Sequence, residues 1–220
     1  MRRTLLFVFL CFLSLGMFSC QKRFMEVEPV AVYGVVEDPV LLETAHQYYT
    51  TELSEKMLSG MIRAYQNCVE CKGKTTKNNT KKTSPPEIKV VWEKAHTTEY
   101  GQKRYVEVPV RASQRVVNLI DIKRDSLSYT PDSTMFKTIF DRLLISRNRG
   151  DDKFSSQIIR FHPDRDYLEK YNYDINHLHL HGLNDFTGYL EYFTSEWERI
   201  SAVRVVDGKP KRRYRLKKSS

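Results

Sequence analysis

Apolar and polar positions follow distinct rhythms along this chain. Behind a basic Met1-Arg2-Arg3 start, residues 4–17 are almost wholly apolar. Further on, apolar residues stand at 41, 42, 45, 48, 49, 53, 57, 58, 61, 62 and 65, the spacing of one stripe on an amphipathic helix. Asp38-Pro39 supplies its start, with Asp as cap and Pro in the first turn. Ser59-Gly60 predicts a weakened or bent middle, and Cys71-Lys72-Gly73 predicts the end. Residues 73–86 lose all periodicity in Lys, Thr, Asn and Ser, closing on Pro85-Pro86.

After Pro86 the rhythm shortens to two. Strands are expected at 88–92, 105–110, 116–120, 142–146, 156–161, 186–193, 203–206 and 212–216. Pro109 inside the second segment it reaches predicts an edge strand or a bulge there. Arg149-Gly150-Asp151-Asp152 and Asp207-Gly208 read as hairpin turns. Residues 164–171 read as a short helix capped by Asp164. Turns rather than helices join most of these strands. The expected class is therefore α+β: an N-terminal amphipathic helix followed by an antiparallel β-sheet or small open barrel. The chain divides into a leader at 1–19, a tether at 20–37, a helical arm at 38–72, a linker at 73–87 and a β-rich domain at 88–220.

The leader has the form of a secretory signal peptide: basic start, short apolar stretch, small residue before a cleavage point. Its apolar stretch is shorter than the roughly 20 residues that span a bilayer. Leu15-Gly16-Met17-Phe18-Ser19-Cys20 resembles a bacterial lipobox, with Phe18 where a small residue is usual. The resemblance implies cleavage before Cys20 and acylation of Cys20. One acyl chain anchors only marginally, and bacterial lipoproteins carry three.

Charge bears on the partner. The chain holds 36 Lys and Arg against 27 Asp and Glu, a formal net charge of +9. Such a balance suits nucleic acid in general, but the expected export argues strongly against it. Anionic headgroups, lipopolysaccharide or an acidic protein remain. The cations cluster at 72–82 and again in the run from Lys209. Most such runs are solvated faces. The second holds Lys211, Arg212, Arg213 and Arg215; there Arg213 and Arg215 alternate with Tyr214 and Leu216, as on an exposed last strand that docks a partner.

With Cys20 acylated, Cys68 and Cys71 form an even pair in an oxidising compartment. Their spacing fits a local disulfide at the helix end, a free pair, or a redox or metal pair. The absence of a strand before them favours the disulfide.

The sharpest chemical pattern is His177-Leu178-His179-Leu180-His181. On a strand, the three imidazoles share one face and the leucines the other. His177, His179 and His181 are therefore candidate zinc ligands, with Asp174, Asp185 or His162 to complete the set. A polar face over a leucine-packed face gives the same pattern without a metal. The aromatics of the last third fit core packing or a ligand-binding face. His-Glu-x-x-His, Gly-x-Ser-x-Gly and Walker-type motifs are missing from the sequence, so no catalytic residue is assigned.

Trp92 with Ala95, Val106-Glu107-Val108-Pro109-Val110, the run at 161–167, Asp185-Phe186-Thr187-Gly188-Tyr189 and Val206-Asp207-Gly208-Lys209 resemble uncharacterised Bacteroidota-type lipoproteins. That resemblance implies a non-enzymatic outer-membrane lipoprotein. Such a protein would act as an accessory or binding subunit of a membrane-associated complex, nutrient uptake being one such system. The alternative is a periplasmic metal-binding protein using the histidine cluster. Some such lipoproteins carry acidic residues just after the acylated cysteine that direct them to the cell surface. Gln21-Lys22-Arg23 has none, which favours the periplasmic face. Ser126 and Ser133 each match a short serine/threonine O-glycosylation motif of that phylum.

Overall fold

A computed structural model describes residues 34–67, 87–113 and 138–215. The leader, Cys20, Cys68, Cys71, Ser126, Ser133 and the predicted strand at 116–120 lie outside the described residues, as does nearly all of the linker.

The helical segment forms as α1 (Pro39–Tyr48), a π-helical turn (Tyr49–Leu53) and α2 (Ser54–Asn67). Asp38 caps it: its carboxylate accepts from the Leu41 N–H at 2.9 Å, and its second oxygen accepts from Arg104 at 3.0 Å. The break falls at the π turn and not at Ser59-Gly60 as expected. The buried side chains are Leu41, Ala45, Leu53, Met57 and Met61, spaced by four or eight residues, with Gly60 buried beside them. In an α-helix of 3.6 residues per turn, each step of four rotates the stripe by about 40°. The wider π turn returns it to the same face. Gly60 has a different reason: a Cβ there would run into the backbone of Glu196. The loop at 194–198 lies directly on α2, with the Trp197 indole donating to the Met57 carbonyl at 3.1 Å.

The sheet comprises β1 (Gly34–Val35), β2 (Ile88–Val90), β3 (His96–Tyr100), β4 (Lys103–Ala112), β5 (Phe140–Asn148), β6 (Ser155–Pro163), β7 (Gly188–Phe193), β8 (Arg199–Val206) and β9 (Lys209–Arg215). The order is β1-β3-β4-β5-β6-β7-β8-β9, every described pairing is antiparallel, and β2 lies beside β4. It is an open sheet in an α+β layout. Gly150 turns one hairpin with φ +76°, and Asp207 and Gly208 turn another with φ +48° and +69°, the type I′ pattern.

Pro109 corrects an expectation, because β4 is paired on both sides. β2 and β3 run along one side of β4, separated by a 3₁₀ turn (Trp92–Lys94). The Val91 N–H donates to the Pro109 carbonyl at 2.9 Å, so the nitrogen of Pro109 faces the same side. There the partner strand departs, and the missing N–H costs no ladder bond.

Alternation divides the core between the two faces of the sheet. On one, the helices pack on Val106, Val108, Val110, Leu143, Ile145 and Ile158. On the other, Leu144, Ile159, Phe161, Leu190, Val203 and Val205 are covered by α3 (Arg165–Lys170) and the loop that follows it. Asp164 stands at the N-cap of α3 as expected. Its carboxylate, however, pairs with Arg204 at 2.5 and 2.8 Å and makes no side-chain cap bond.

Candidate functional site

The loop between α3 and β7 carries the histidine cluster. Leu178, Leu180 and Leu183 anchor it, fully or nearly buried among Ile159, Phe161 and Phe186. Leucine packing is thus as the alternation predicts, but the segment is not a strand. His179 is extended, and Leu180–Gly182 is a 3₁₀ turn. A strand needs a neighbouring backbone to pair with. Here side chains from the sheet take that role. The Leu180 N–H donates to Glu107 Oε2 at 3.0 Å, and Arg142 donates to the Leu178 carbonyl at 2.9 Å. Glu107 on β4 and Arg142 on β5 are themselves buried, with Arg142 Nε 3.4 Å from Glu107 Oε1.

This bend separates the three predicted ligands. His177 is exposed; its Nε2 lies 3.0 Å from the Tyr167 hydroxyl, and its ring packs on Tyr171 at 4.3 Å. His179 and His181 turn the other way and meet His96, which β3 holds opposite Glu107. Ring centroids are 4.2 Å apart for His96 and His179, 5.1 Å for His179 and His181, and 6.2 Å for His96 and His181. The structure therefore replaces His177 by His96 in the cluster. The other suggested ligands are elsewhere. Asp174 closes a turn with Asn176, and Asp185 pairs with Lys170 and Tyr171. His162 is on the helix face of the sheet. Among the described residues, no three His, Cys, Asp or Glu side chains already stand as a metal-holding group.

Burial, and then the neighbouring His179, push the proton affinity of both His96 and His181 below that of ordinary imidazole. Burial likewise lowers the Arg142 guanidinium, against the pull of Glu107. Glu107 Oε1 and the Nδ1 atoms of His179 and His181 are buried without a hydrogen-bond partner. Glu107 Oε1 lies 3.8 Å from His179 Nδ1. Beside them opens a cleft of about 490 Å³ lined by His96, Phe140, Arg142, Ile175 and His179. The arrangement offers imidazole nitrogens beside a carboxylate, a donor set for a cation or a general base.

The helix face holds a second group of buried charges that alternation alone does not reveal. Arg160 pairs with Asp141 at 2.7 Å, His162 Nε2 lies 2.6 Å from Glu191, and Arg199 reaches Glu191 at 2.5 Å. The only hint in the sequence was charge inside apolar strands: Arg160 and His162 around Phe161, Glu191 between Leu190 and Tyr192. Burial pushes the Glu191 carboxyl up, but the His162 hydrogen bond and the charges of His162, Arg199 and Arg160 outweigh it and hold it below the usual range. A carboxylate depressed on folding adds stability that is complete above its unfolded value, about 4.3. That stability is lost as pH falls through the lower folded value. Urea midpoints measured between about pH 6 and pH 3 are expected to fall less steeply for Glu191→Gln than for the parent. Equal slopes would show that Glu191 is not the depressed group.

The predicted basic strip lies on β9. Lys211, Arg212 and Arg213 are exposed, and the Arg212 guanidinium lies over Tyr214 at 5.1 Å; the side chain of Arg215 lies outside the described residues. No helix among the described residues is long and apolar enough to cross a membrane, which leaves strand-crossing proteins unaddressed. No family model matches the sequence, and no match is found among curated proteins or solved structures.

Proposed function

We propose that this protein is exported, held at the outer membrane by a lipid on Cys20, and acts there without catalysis as a docking subunit of a membrane-associated complex. Strand β9 carries the reading. It is the last strand in the order, with β8 on one side and no strand on the other among the described residues, and it presents Lys211, Arg212 and Arg213 to solvent. Cations on an edge strand oppose pairing between copies of the chain. They favour an acidic, extended segment of a partner, which gains main-chain pairing and charge complementarity together. The occupant is therefore an acidic segment of a membrane protein.

The leader pattern supports the tether, which joins the body at β1, the opposite end of the strand order. Along the strand order, the tether therefore enters at the end away from β9. Tethering confines the body near its partner and raises its effective concentration there.

Two measurements test the two halves. Cys20→Ala is expected to move the chain from the membrane fraction to the soluble fraction and to abolish its acyl mass; unchanged fractionation refutes the anchor. Immunoprecipitation from mild detergent at low salt is expected to recover a stoichiometric membrane protein with an acidic segment. Recovery is expected to drop about tenfold or more in the triple variant Lys211→Glu, Arg212→Glu, Arg213→Glu. A chain that comes down alone, or a partner that stays bound to the triple variant, refutes the docking edge.

A further inference from the structure

We propose that His96, His179 and His181 bind a divalent transition-metal ion of the zinc type, with Glu107 as the carboxylate behind His179. This goes beyond the docking role and involves none of its residues.

The spacing is the first argument. A tetrahedral metal holds imidazole nitrogens at about 2.0–2.1 Å, which places ring centroids roughly 5 Å from one another. The three separations here, 4.2, 5.1 and 6.2 Å, bracket that value. The nitrogens are not yet gathered on one point. The rings of His179 and His181 are coplanar within 4°, and convergence requires rotation about their side-chain torsions. Of the three, His96 and His179 line the cleft, which gives those two rings an open side.

The state of the donors is the second argument. A metal ligand must be a neutral imidazole. The three rings lie side by side, with a Glu107 oxygen 3.8 Å from the Nδ1 of His179. A buried polar atom without a partner is uncommon, and a bound ion is one physical reason for it. Here such atoms occur on His179, His181 and Glu107 together.

The third argument is the surrounding shell. A metal-ligating histidine usually donates its other ring N–H to a carboxylate, which fixes its tautomer and orientation. Glu107 Oε1 lies 3.8 Å from His179 Nδ1, beyond hydrogen-bond distance; closing that gap on metal binding would fix the tautomer with Nε2 left for the ion. Glu107 is held in turn by the Leu180 N–H and Arg142, so the carboxylate and the histidine loop are positioned by the same contacts. The charge of Arg142 opposes a cation, and that of Glu107 offsets it. Three imidazoles would leave one position of a tetrahedral ion for water or another ligand.

The test uses the full chain, purified in mild detergent through a histidine-free tag and stripped with chelator. Zn²⁺ is titrated by calorimetry, and Co²⁺ is added to read coordination geometry from its visible absorption. The expected result is one Zn²⁺ per chain and an intense tetrahedral Co²⁺ band. Affinity is expected to fall about tenfold or more in His96→Ala and in His181→Ala, and to stay within about twofold in His177→Ala. Circular dichroism and urea midpoints of the metal-free variants establish that each is folded. His96→Gln, which keeps the size of the side chain, is the second variant should His96→Ala fail to fold. Absence of stoichiometric binding, binding that survives loss of His96, or an equal loss in His177→Ala overturns the proposal; the last outcome is adventitious capture by exposed histidine.

Discussion

Replacing Arg160 by Met is expected to lower the unfolding free energy by about 3–5 kcal/mol, the usual result of breaking one side of a buried ion pair. Arg160 is 2% exposed and Asp141 1%. Their bond, 2.7 Å from Nε to Oδ1, lies across the β5–β6 pairing. The guanidinium also lies over the rings of Phe193 and Trp197 at 5.1 and 5.7 Å. Met fills much of the volume of the arginine stem, so the cost arises mainly from the stranded Asp141 carboxylate and less from a void. The double variant Arg160→Met, Asp141→Leu removes both charges and is expected to recover most of the loss. Urea unfolding of the parent, both singles and the double gives the coupling energy directly. Additive losses would show that the pair is not coupled.

Phe161→Ala is expected to cost about 3–5 kcal/mol as well, by a different mechanism: lost transfer energy plus a residual cavity. Phe161 is fully buried, stacked on Phe140 at 4.6 Å and edge-on to Phe186 at 5.9 Å. The loss has a direction. The cluster around Phe161 includes Leu178, Leu180 and Leu183, the anchors of the histidine loop, whereas the helices pack on the other face. Peptide-level hydrogen exchange is expected to show the larger loss of protection at residues 175–187 and a smaller one in α1 and α2. A uniform increase across both faces would mean that the two clusters open as one unit. The two replacements thus probe opposite faces of one sheet, and only the second should loosen the site.

Much of this architecture is legible from local chemistry. Asp38-Pro39 starts a helix because a cap and a preset φ act within one turn. Asp207-Gly208 makes a hairpin because both residues tolerate positive φ. Period-two alternation in β4 separates Val106, Val108 and Val110 from Tyr105 and Glu107, and the two sets do face opposite cores. Such signals are short-ranged, so a sequence carries them whole. Where a second requirement intrudes, the local reading moves. The helix departs from α geometry at Tyr49–Leu53, and Pro109 sits inside the sheet because its neighbour departs there.

The site belongs to the other category. Alternation at 177–181 correctly predicts that the leucines pack, but not that the segment lacks a strand partner. Whether extended residues become a strand depends on what satisfies their N–H and C=O groups. Here Glu107 and Arg142 reach across from β4 and β5 to do it. That bend turns His177 toward Tyr167 and sends His179 and His181 to His96. Likewise, alternation puts Arg160 and Glu191 on one face of the sheet, but only the packed fold shows that this face is closed over them. The sequence by itself determined the helical segment, most of the described strands and the two hairpin turns, since those follow from neighbours along the chain; it did not reveal β1 or β3, whose short runs lack an alternating signal. The tertiary structure alone decided which polar residues meet and which are buried. Those outcomes depend on strand register and on layers that cover one another, and neither is a property of any single segment.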